Sequence, residues 1–166
     1  MSLGPFSSQR FGYAVHSLCY LAKKPFGTVT TLPELADWLR SIWPQVSETY
    51  LGNVIQRMSR GGILRSHRGV SGGYSLARPA EQINMRDVVE LLEGVSVDSC
   101  SLSLEGECPV RVLCAIQNRL ARIEEDYLQS LGRLSIAELA NDLRVKMATP
   151  KAAKGKGKTR ATSKSR

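Results

Sequence analysis

The sequence predicts a mainly α-helical fold with one small β-wing, followed by a long helix suited to dimerisation. Three observations support this prediction. Apolar residues recur at helical spacing in successive windows. A glycine-rich hairpin follows the third of these windows. A longer C-terminal helix carries a narrow apolar seam. The order helix, helix, turn, helix, hairpin is that of a winged helix-turn-helix.

The first helix is predicted over residues 7–23. Either Ser7 or Ser8 can cap its N-terminus, and Pro25 and Gly27 end it. Its apolar residues fall on one helical face because they follow the i, i+3, i+4, i+7 pattern. These residues are Phe11, Ala14, Val15, Leu18 and Ala22.

The second and third helices are marked by their N-caps. Thr31 and Glu34 form a capping-box pattern at the start of a helix that runs to about Arg40. Ser47 is a good N-cap for the third helix, which the Gly61-Gly62 pair ends. The core-facing residues predicted for the third helix are Leu51, Val54, Ile55 and Met58.

The hairpin is predicted from two short strands, residues 63–66 and 74–77. The segment between them, residues 67–73 (HRGVSGG), is rich in glycine and suits a tight wing. A fourth helix then begins after the N-cap Asn84 and ends at Gly94.

A long helix is predicted from Pro109 to about Leu131, and a last one from Ser135, with Glu138 completing a second capping box. The seam of the long helix has the 3, 4, 3, 4 spacing of helices that pair along their length. This spacing favours dimerisation over ordinary core packing. The seam residues are Leu113, Ile116, Leu120, Ile123 and Tyr127.

The chain of 166 residues carries a net charge of +8, and this charge is concentrated at one end. Residues 150–166 hold seven basic residues and no acid, which leaves +1 for residues 1–149. We expect this tail to be disordered and either to add phosphate contacts or only to aid solubility. The predicted parts are a winged domain (1–94), a cysteine-rich loop (95–114), a dimerisation and C-terminal helical part (109–147) and a basic tail (148–166).

Composition argues against a membrane protein and an enzyme. The longest uncharged apolar stretch, residues 11–22, has only 12 residues, and the N-terminus lacks a secretory signal pattern. We therefore expect a cytoplasmic protein. The sequence contains neither a P-loop nor a dinucleotide-binding fingerprint, and only His16 and His67 are available for proton transfer near neutral pH.

The third helix has the side chains that read DNA. Thr49, Asn53 and Gln56 lie opposite its apolar face, and asparagine or glutamine can bond adenine with two hydrogen bonds. Arg68 sits on the wing, where it suits a narrow minor groove. Alternatively, this polar face is simply solvated or binds a protein. The arginines placed to hold phosphates are Arg57, Arg60 and Arg65.

Three segments resemble the IscR/NsrR/RirA group of Rrf-type winged-helix regulators. They are GYAVHSLCYLA (12–22), VSETYLGNVIQRMSRGGILRSHRGVSGGYSLA (46–77) and ECPVRVLC (107–114). The RG-x-x-GGY element, residues 68–74, is the most specific of these features. The resemblance extends from about residue 6 to residue 140.

This resemblance implies a homodimeric transcription factor that binds double-stranded DNA, in a family where many members sense iron, nitric oxide or redox state. It places Ser47 and Tyr50 at the start of the recognition helix and makes Arg68 the minor-groove arginine. Some members carry glutamate where this chain has Gly52. We therefore expect a different preference for target sequences.

Three of the four cysteines, Cys100, Cys108 and Cys114, form a C-x7-C-x5-C pattern. Thiolates suit iron–sulfur clusters and zinc, but the close cysteine pairs of zinc sites are absent. The resemblance to RirA-like members, which share this spacing, implies an iron–sulfur cluster of the 4Fe-4S or 2Fe-2S type. A redox disulfide or unligated thiols are the alternatives. Cys19 lies beside the apolar face of the first helix and is predicted to be a buried structural thiol.

A cluster held by three cysteines needs a further ligand. Some relatives use a histidine where this chain has Gln117, and others use an acidic residue where it has Gly12. His16 corresponds to a ligand position in at least one two-iron member, so the resemblance makes His16 the candidate. The alternatives are an ordinary, partly exposed histidine, with water or a small thiol completing the cluster. We expect cluster binding to order residues 95–114 and thereby set the spacing of the two recognition helices in the dimer.

Overall fold

A computed structural model of the chain describes residues 8–69, 72–94 and 114–143. It contains six helices and a two-stranded antiparallel sheet within these ranges. In chain order the elements are α1 (Gln9–Ala22), α2 (Leu32–Ile42), α3 (Glu48–Arg60), β1 (Leu64–His67), β2 (Gly73–Leu76), a 3₁₀ turn (Ala80–Gln82), α4 (Met85–Glu93), α5 (Ala115–Gly132) and α6 (Ile136–Asp142). This is the mainly helical fold with a small β-wing that the sequence predicts.

The helices begin where local capping signals place them. Ser8 caps α1 by accepting a hydrogen bond from the Phe11 amide, and Asn84 and Ser135 form complete capping boxes at α4 and α6. The box predicted at α2 is only half formed. Thr31 accepts from the Glu34 amide, but the Glu34 carboxylate instead accepts from Tyr20 and Lys24 of the neighbouring α1 segment.

The core lies between α1 and the four helices that pack on it, α2, α3, α4 and α6. Each helix contributes an apolar stripe, as its sequence spacing predicts. The α3 stripe is the one expected from the sequence, and all four of its members are buried. The largest side chains that are almost fully removed from solvent include Leu18, Leu35, Leu39, Leu51, Ile55, Met58, Leu92, Leu128 and Ile136.

The long helix differs from its prediction at its start. Cys114 has an extended backbone and caps the helix, so α5 begins at Ala115 and not at Pro109. Its C-terminal part packs on α4 through Leu128 and Leu131. Of the predicted seam residues, Leu113 lies outside the described residues. Tyr127 packs against the core. The other seam residues, Ile116, Leu120 and Ile123, are exposed.

The wing is held against the rest of the domain by backbone hydrogen bonds. β1 and β2 pair with Leu64 opposite Leu76 and His67 opposite Gly73, a shift of one residue from the predicted strands. Tyr74 of β2 also exchanges two backbone hydrogen bonds with Thr30, at 2.9 and 2.8 Å. This bridge fixes the wing to the connection between α1 and α2.

Two glycines of the RG-x-x-GGY element are explained by this geometry. Gly69 has φ of 107°, a conformation that side chains other than glycine rarely adopt. A Cβ atom on Gly73 would overlap the Thr30 carbonyl group, whose carbon would lie at 2.8 Å. The close contact of the wing with Thr30 thus requires glycine at position 73, and the backbone conformation favours glycine at position 69. Within the described residues no helix is long and apolar enough to cross a membrane.

We expect Gly73→Ala to lower the free energy of unfolding by about 1–3 kcal/mol, because the methyl group meets backbone atoms that cannot move aside cheaply. Urea unfolding followed by circular dichroism measures this change. Gly12→Ala is the matched control. Gly12 lies inside α1 with no atom within 4 Å of an added Cβ, so this change should be neutral or stabilise by up to about 1 kcal/mol. Equal stabilities of the two variants would contradict the proposed close contact.

Candidate nucleic-acid interface

The exposed face of α3 carries the polar residues that the sequence indicates. Thr49, Asn53 and Gln56 are all exposed, on the side opposite the buried stripe. They line a groove of about 580 Å³. The other lining residues are Leu32, Glu48, Gly52 and Tyr74, so α2, α3 and β2 all contribute to it.

This groove combines hydrogen-bonding side chains with an apolar wall. Asn53 and Gln56 offer both a donor and an acceptor, and Thr49 offers a hydroxyl. Leu32 packs close to Gly52, where an added Cβ would lie 3.2 Å from a methyl group of Leu32. The groove can therefore take polar and apolar features of a base edge.

The acidic residue in the groove, Glu48, is paired with a neighbouring arginine. Glu48 accepts a hydrogen bond from Arg40 at 3.1 Å, and Arg40 also contacts Asp37 at 2.9 Å. Hydrogen bonding to Glu48, followed by the contact with Asp37, raises the pKa of Arg40. The arginine therefore lessens the repulsion that Glu48 would exert on an anionic ligand.

Ser47 and Tyr50 position the start of α3, where Ser47 is exposed and Tyr50 is partly buried. The Ser47 hydroxyl caps the helix by accepting from the Tyr50 amide at 3.3 Å, and its own amide donates to the Tyr13 hydroxyl at 3.2 Å. The Tyr50 ring is half-buried and lies 5.4 Å from the Tyr13 ring. These contacts set the angle at which α3 leaves the turn.

Arg57 is exposed and is held by the end of α4. Its Nε donates to the carbonyl oxygen of Leu91 at 3.0 Å. Arg10, which the sequence analysis missed, makes a parallel contact: its guanidinium donates to the Leu92 carbonyl at 2.9 Å. A signal for Arg10 was available, because a cation in the first turn of a helix opposes the helix dipole and so requires another partner.

Arg68 is exposed directly after β1, beside the left-handed Gly69. Arg60 and Arg65 are also exposed. His67, at the end of β1, is linked to Ser75 of β2 by a 2.9 Å hydrogen bond. The arginine that was predicted for a minor groove therefore projects from a hairpin that is fixed at its base.

The candidate cluster ligands fall partly outside the described residues. Cys100 and Cys108 are not among them, whereas Cys114 and His16 are. The Cys114 sulfur is partly exposed and accepts a hydrogen bond from the Gln117 amide at 3.4 Å. No group of three or more metal-ligating side chains occurs in residues 8–69, 72–94 and 114–143.

His16 is partly exposed on α1. Its Nδ1 donates to the Gly12 carbonyl at 2.8 Å, so the neutral ring presents the Nε2 lone pair. The ring meets Trp43 edge-on at 4.5 Å between centroids. Cys19 is different: it is 3% exposed, and burial raises the pKa of its thiol to about 11. It is therefore the buried thiol that the sequence predicts.

Comparison with known proteins agrees with the fold. Residues 7–142 match the Rrf2 family model, described as an iron-dependent transcriptional regulator. The chain is similar to the global cysteine regulator CymR of B. subtilis, with 25% identity, 86% of this chain and 98% of that chain covered, and a TM-score of 0.61. It is also similar to T. potens IscR, with 26% identity, coverage of 84% and 88%, and a TM-score of 0.59.

A third similar structure is Staphylococcus aureus CymR, with 28% identity, coverage of 80% and 96%, and a TM-score of 0.57. The family model covers most of the chain, and these structures have the same helical arrangement over nearly their whole length. The chain therefore belongs to the Rrf2 family of transcription regulators.

Proposed function

We propose that this chain binds double-stranded DNA as a homodimer and that an iron–sulfur cluster controls this binding. The observation that carries the DNA-binding part is the α3 groove. A helix anchored by a buried apolar face exposes Thr49, Asn53 and Gln56 beside a two-stranded wing. Asparagine and glutamine on such a helix can form paired hydrogen bonds to adenine in the major groove.

The interface divides into residues that read bases and residues that hold the backbone. We assign Thr49, Asn53 and Gln56 to base edges and Arg68 to the minor groove beside the wing. Arg57 is assigned to a phosphate, because a charged guanidinium at the edge of the groove favours the DNA backbone. Ser47 and Tyr50 position the helix and add contacts at its N-terminus.

The experiment is duplex binding at several salt concentrations, using a duplex that the wild-type protein selects from a randomised pool. We expect a steep fall in affinity with salt, because bound arginines release counterions from the DNA. Asn53→Ala should cost about 1–3 kcal/mol on the selected duplex and much less on a random one. Arg68→Ala should weaken binding to both, more strongly where the minor groove is narrow.

Arg86→Ala is the control, since Arg86 pairs with Glu90 on the exposed side of α4. It removes one arginine outside the proposed interface and should bind as the wild type does. Salt-independent binding that Arg68→Ala leaves unchanged would contradict DNA binding and favour a protein partner.

Dimerisation is assigned to the exposed part of the α5 seam. Ile116, Leu120 and Ile123 are 72%, 51% and 65% exposed, and they lie on one side of the helix. Rrf2 regulators are typically dimeric, and an apolar seam of this spacing is covered when two helices pair. We propose that α5 of a second copy covers this seam.

Leu120→Glu should dissociate the dimer, because pairing would bury a carboxylate within the seam. Sedimentation velocity measures the mass. Asn118→Glu is the matched control, because Asn118 is exposed on the opposite side of α5 and receives the same charge. If Leu120→Glu keeps the mass of the wild-type dimer, the seam is not the interface.

The cluster is assigned to Cys100, Cys108 and Cys114, with His16 as the fourth ligand. The described part of this set fits such a group. Cys114 is partly exposed, and its sulfur accepts a backbone hydrogen bond, an interaction that tunes iron–sulfur sites. The Nδ1 bond to the Gly12 carbonyl orients the His16 ring, as outer contacts commonly orient ligating histidines. When bound, the cluster supplies sensitivity to iron supply, redox state or nitric oxide.

We expect anaerobically purified protein to contain iron and acid-labile sulfide in about equal amounts, with an absorption band in the visible region. Cys114→Ala should lose most of both, whereas Cys19→Ala should retain them, because Cys19 is a core thiol. His16→Ala should keep iron but alter the spectrum. If reconstituted wild-type protein holds no iron, cluster control is wrong.

A second candidate is control by thiol oxidation or by a protein partner without a cluster. The similarity to the cysteine regulator CymR favours it, at 25–28% identity. It predicts that iron-free protein binds DNA and that oxidants or a partner change its affinity. The iron measurement therefore distinguishes the two forms of control without affecting the DNA-binding proposal.

A further inference from the structure

Two arginines from different helices are anchored side by side on the last turn of α4. Arg10 of α1 donates to the carbonyl of Leu92, and Arg57 of α3 donates to the carbonyl of Leu91. The carbonyls at a helix C-terminus have no partner within the helix and carry partial negative charge. They attract the guanidinium groups and hold them in place.

A cleft of about 270 Å³ lies between α1 and α3 at this point. Asn53 lines both this cleft and the α3 groove, so the two are neighbours on one surface. The cleft is lined by Arg10, Tyr50, Asn53, Val54 and Arg57.

The lining is suited to an anion. Each guanidinium has five N–H donors, and the contacts to α4 use only some of them. Tyr50 and Asn53 add a hydroxyl and an amide. Glu93 is the acidic group nearby, with its carboxylate 4.0 Å from the Arg10 Nε, and it also accepts a hydrogen bond from Ser8. Among these described groups, two guanidinium groups and one carboxylate leave a net positive charge.

The hydrogen bonds to α4 hold both arginine side chains partly in place before a ligand binds. A free arginine loses considerable side-chain entropy when it is fixed on a ligand. Here part of that loss has already occurred on folding, because each side chain is tied at one nitrogen. A planar guanidinium fixed in this way can present a pair of N–H groups to two oxygens of one phosphate.

We propose that this cleft binds a backbone phosphate of DNA, with Arg10 and Arg57 as its two positive groups. The inference rests on the proposed DNA binding and extends it to a residue on α1. The phosphate would flank the bases that α3 reads, because Asn53 belongs to both surfaces. The contact to this phosphate fixes the depth and angle of α3 in the DNA major groove and carries no sequence preference itself.

The experiment measures binding of a wild-type-selected duplex from 0.05 to 0.5 M salt. Each lost phosphate contact lowers the slope of log affinity against log salt by about 0.9. For a dimer with two half-sites, Arg10→Gln should therefore lower this slope by about 1.8. If binding at 1 M salt is unchanged, affinity at 0.1 M falls about 60-fold. The preference for the selected over a random duplex should be retained.

Charge-matched controls lie on α4 itself. Arg86 and Glu90 form an exposed ion pair there, so Arg86→Gln and Glu90→Gln make the same charge changes away from the cleft. Glu93→Gln should strengthen binding roughly two- to fivefold per half-site, because it removes the carboxylate beside Arg10. Equal effects of Arg10→Gln and Arg86→Gln would overturn the proposal and indicate a general charge effect.

Replacing single backbone phosphates with uncharged methylphosphonates identifies the phosphate that Arg10 contacts. A scan of duplexes with single methylphosphonates should find one backbone position per half-site that weakens wild-type binding but not binding of Arg10→Gln. If both proteins respond alike at every position, Arg10 contacts no phosphate. A third measurement adds inorganic phosphate at millimolar concentration while the ionic strength is held constant. If the phosphate competes with the duplex, the cleft is a site for a free anion instead. Salt-independent wild-type binding would contradict the proposed function itself, an outcome distinct from these.

Discussion

The structure depends on the burial of one side of α3. Leu51, Ile55 and Met58 are fully enclosed, and together with Val54 they leave only one side of the helix for a ligand. Burial of each such side chain contributes about 1.5–3 kcal/mol, which is a substantial part of the stability of a small domain. Because this face cannot rotate outward without losing that contribution, the polar face is held in one orientation. A helix that reads base edges needs such a fixed orientation, because its hydrogen bonds to the bases tolerate little displacement of the side chains.

The wing is held in position by backbone hydrogen bonds and a polar cluster. Its two strands are too short to be stable alone, and the backbone bridge between Thr30 and Tyr74 supplies the missing support. Thr30 is in turn fixed by Lys24, whose ammonium group contacts the Thr30 hydroxyl and the Glu34 carboxylate. Tyr20 donates to the same carboxylate, and burial, followed by this hydrogen bond, raises the pKa of its hydroxyl. A polar cluster on the opposite side of α2 from the groove thus helps to place the wing beside it.

Local signals in the sequence predict most of this fold. The caps Thr31, Ser47, Asn84 and Ser135 are correct because an N-cap acts within one helical turn. The sequence prediction fails where residues that are distant in the chain determine the local structure. Glu34 leaves its capping box because Tyr20 and Lys24 approach from α1. In addition, α5 starts at Ala115, six residues after Pro109, because Cys114 takes an extended conformation and caps the helix. The polar face of α3 follows from its spacing. The position of Arg10 in the first turn of α1 indicates that it needs a partner, but only the fold shows that this partner is the end of α4.

The end of α4 joins the two functional parts of the chain. Its last carbonyls hold Arg10 and Arg57 at the nucleic-acid interface, and Gly94, with φ of 70°, turns the chain directly into the cysteine-rich segment. The described chain resumes at Cys114, the N-cap of α5, a helix whose C-terminal part packs on α4. Under the proposed control, a chemical change among the cysteines reaches the described chain at the end of α4 and at the start of α5, which flank the cysteine-rich segment in the sequence. Since charge-assisted hydrogen bonds weaken steeply with distance and angle, a small shift of the α4 terminus is enough to alter how both arginines are presented.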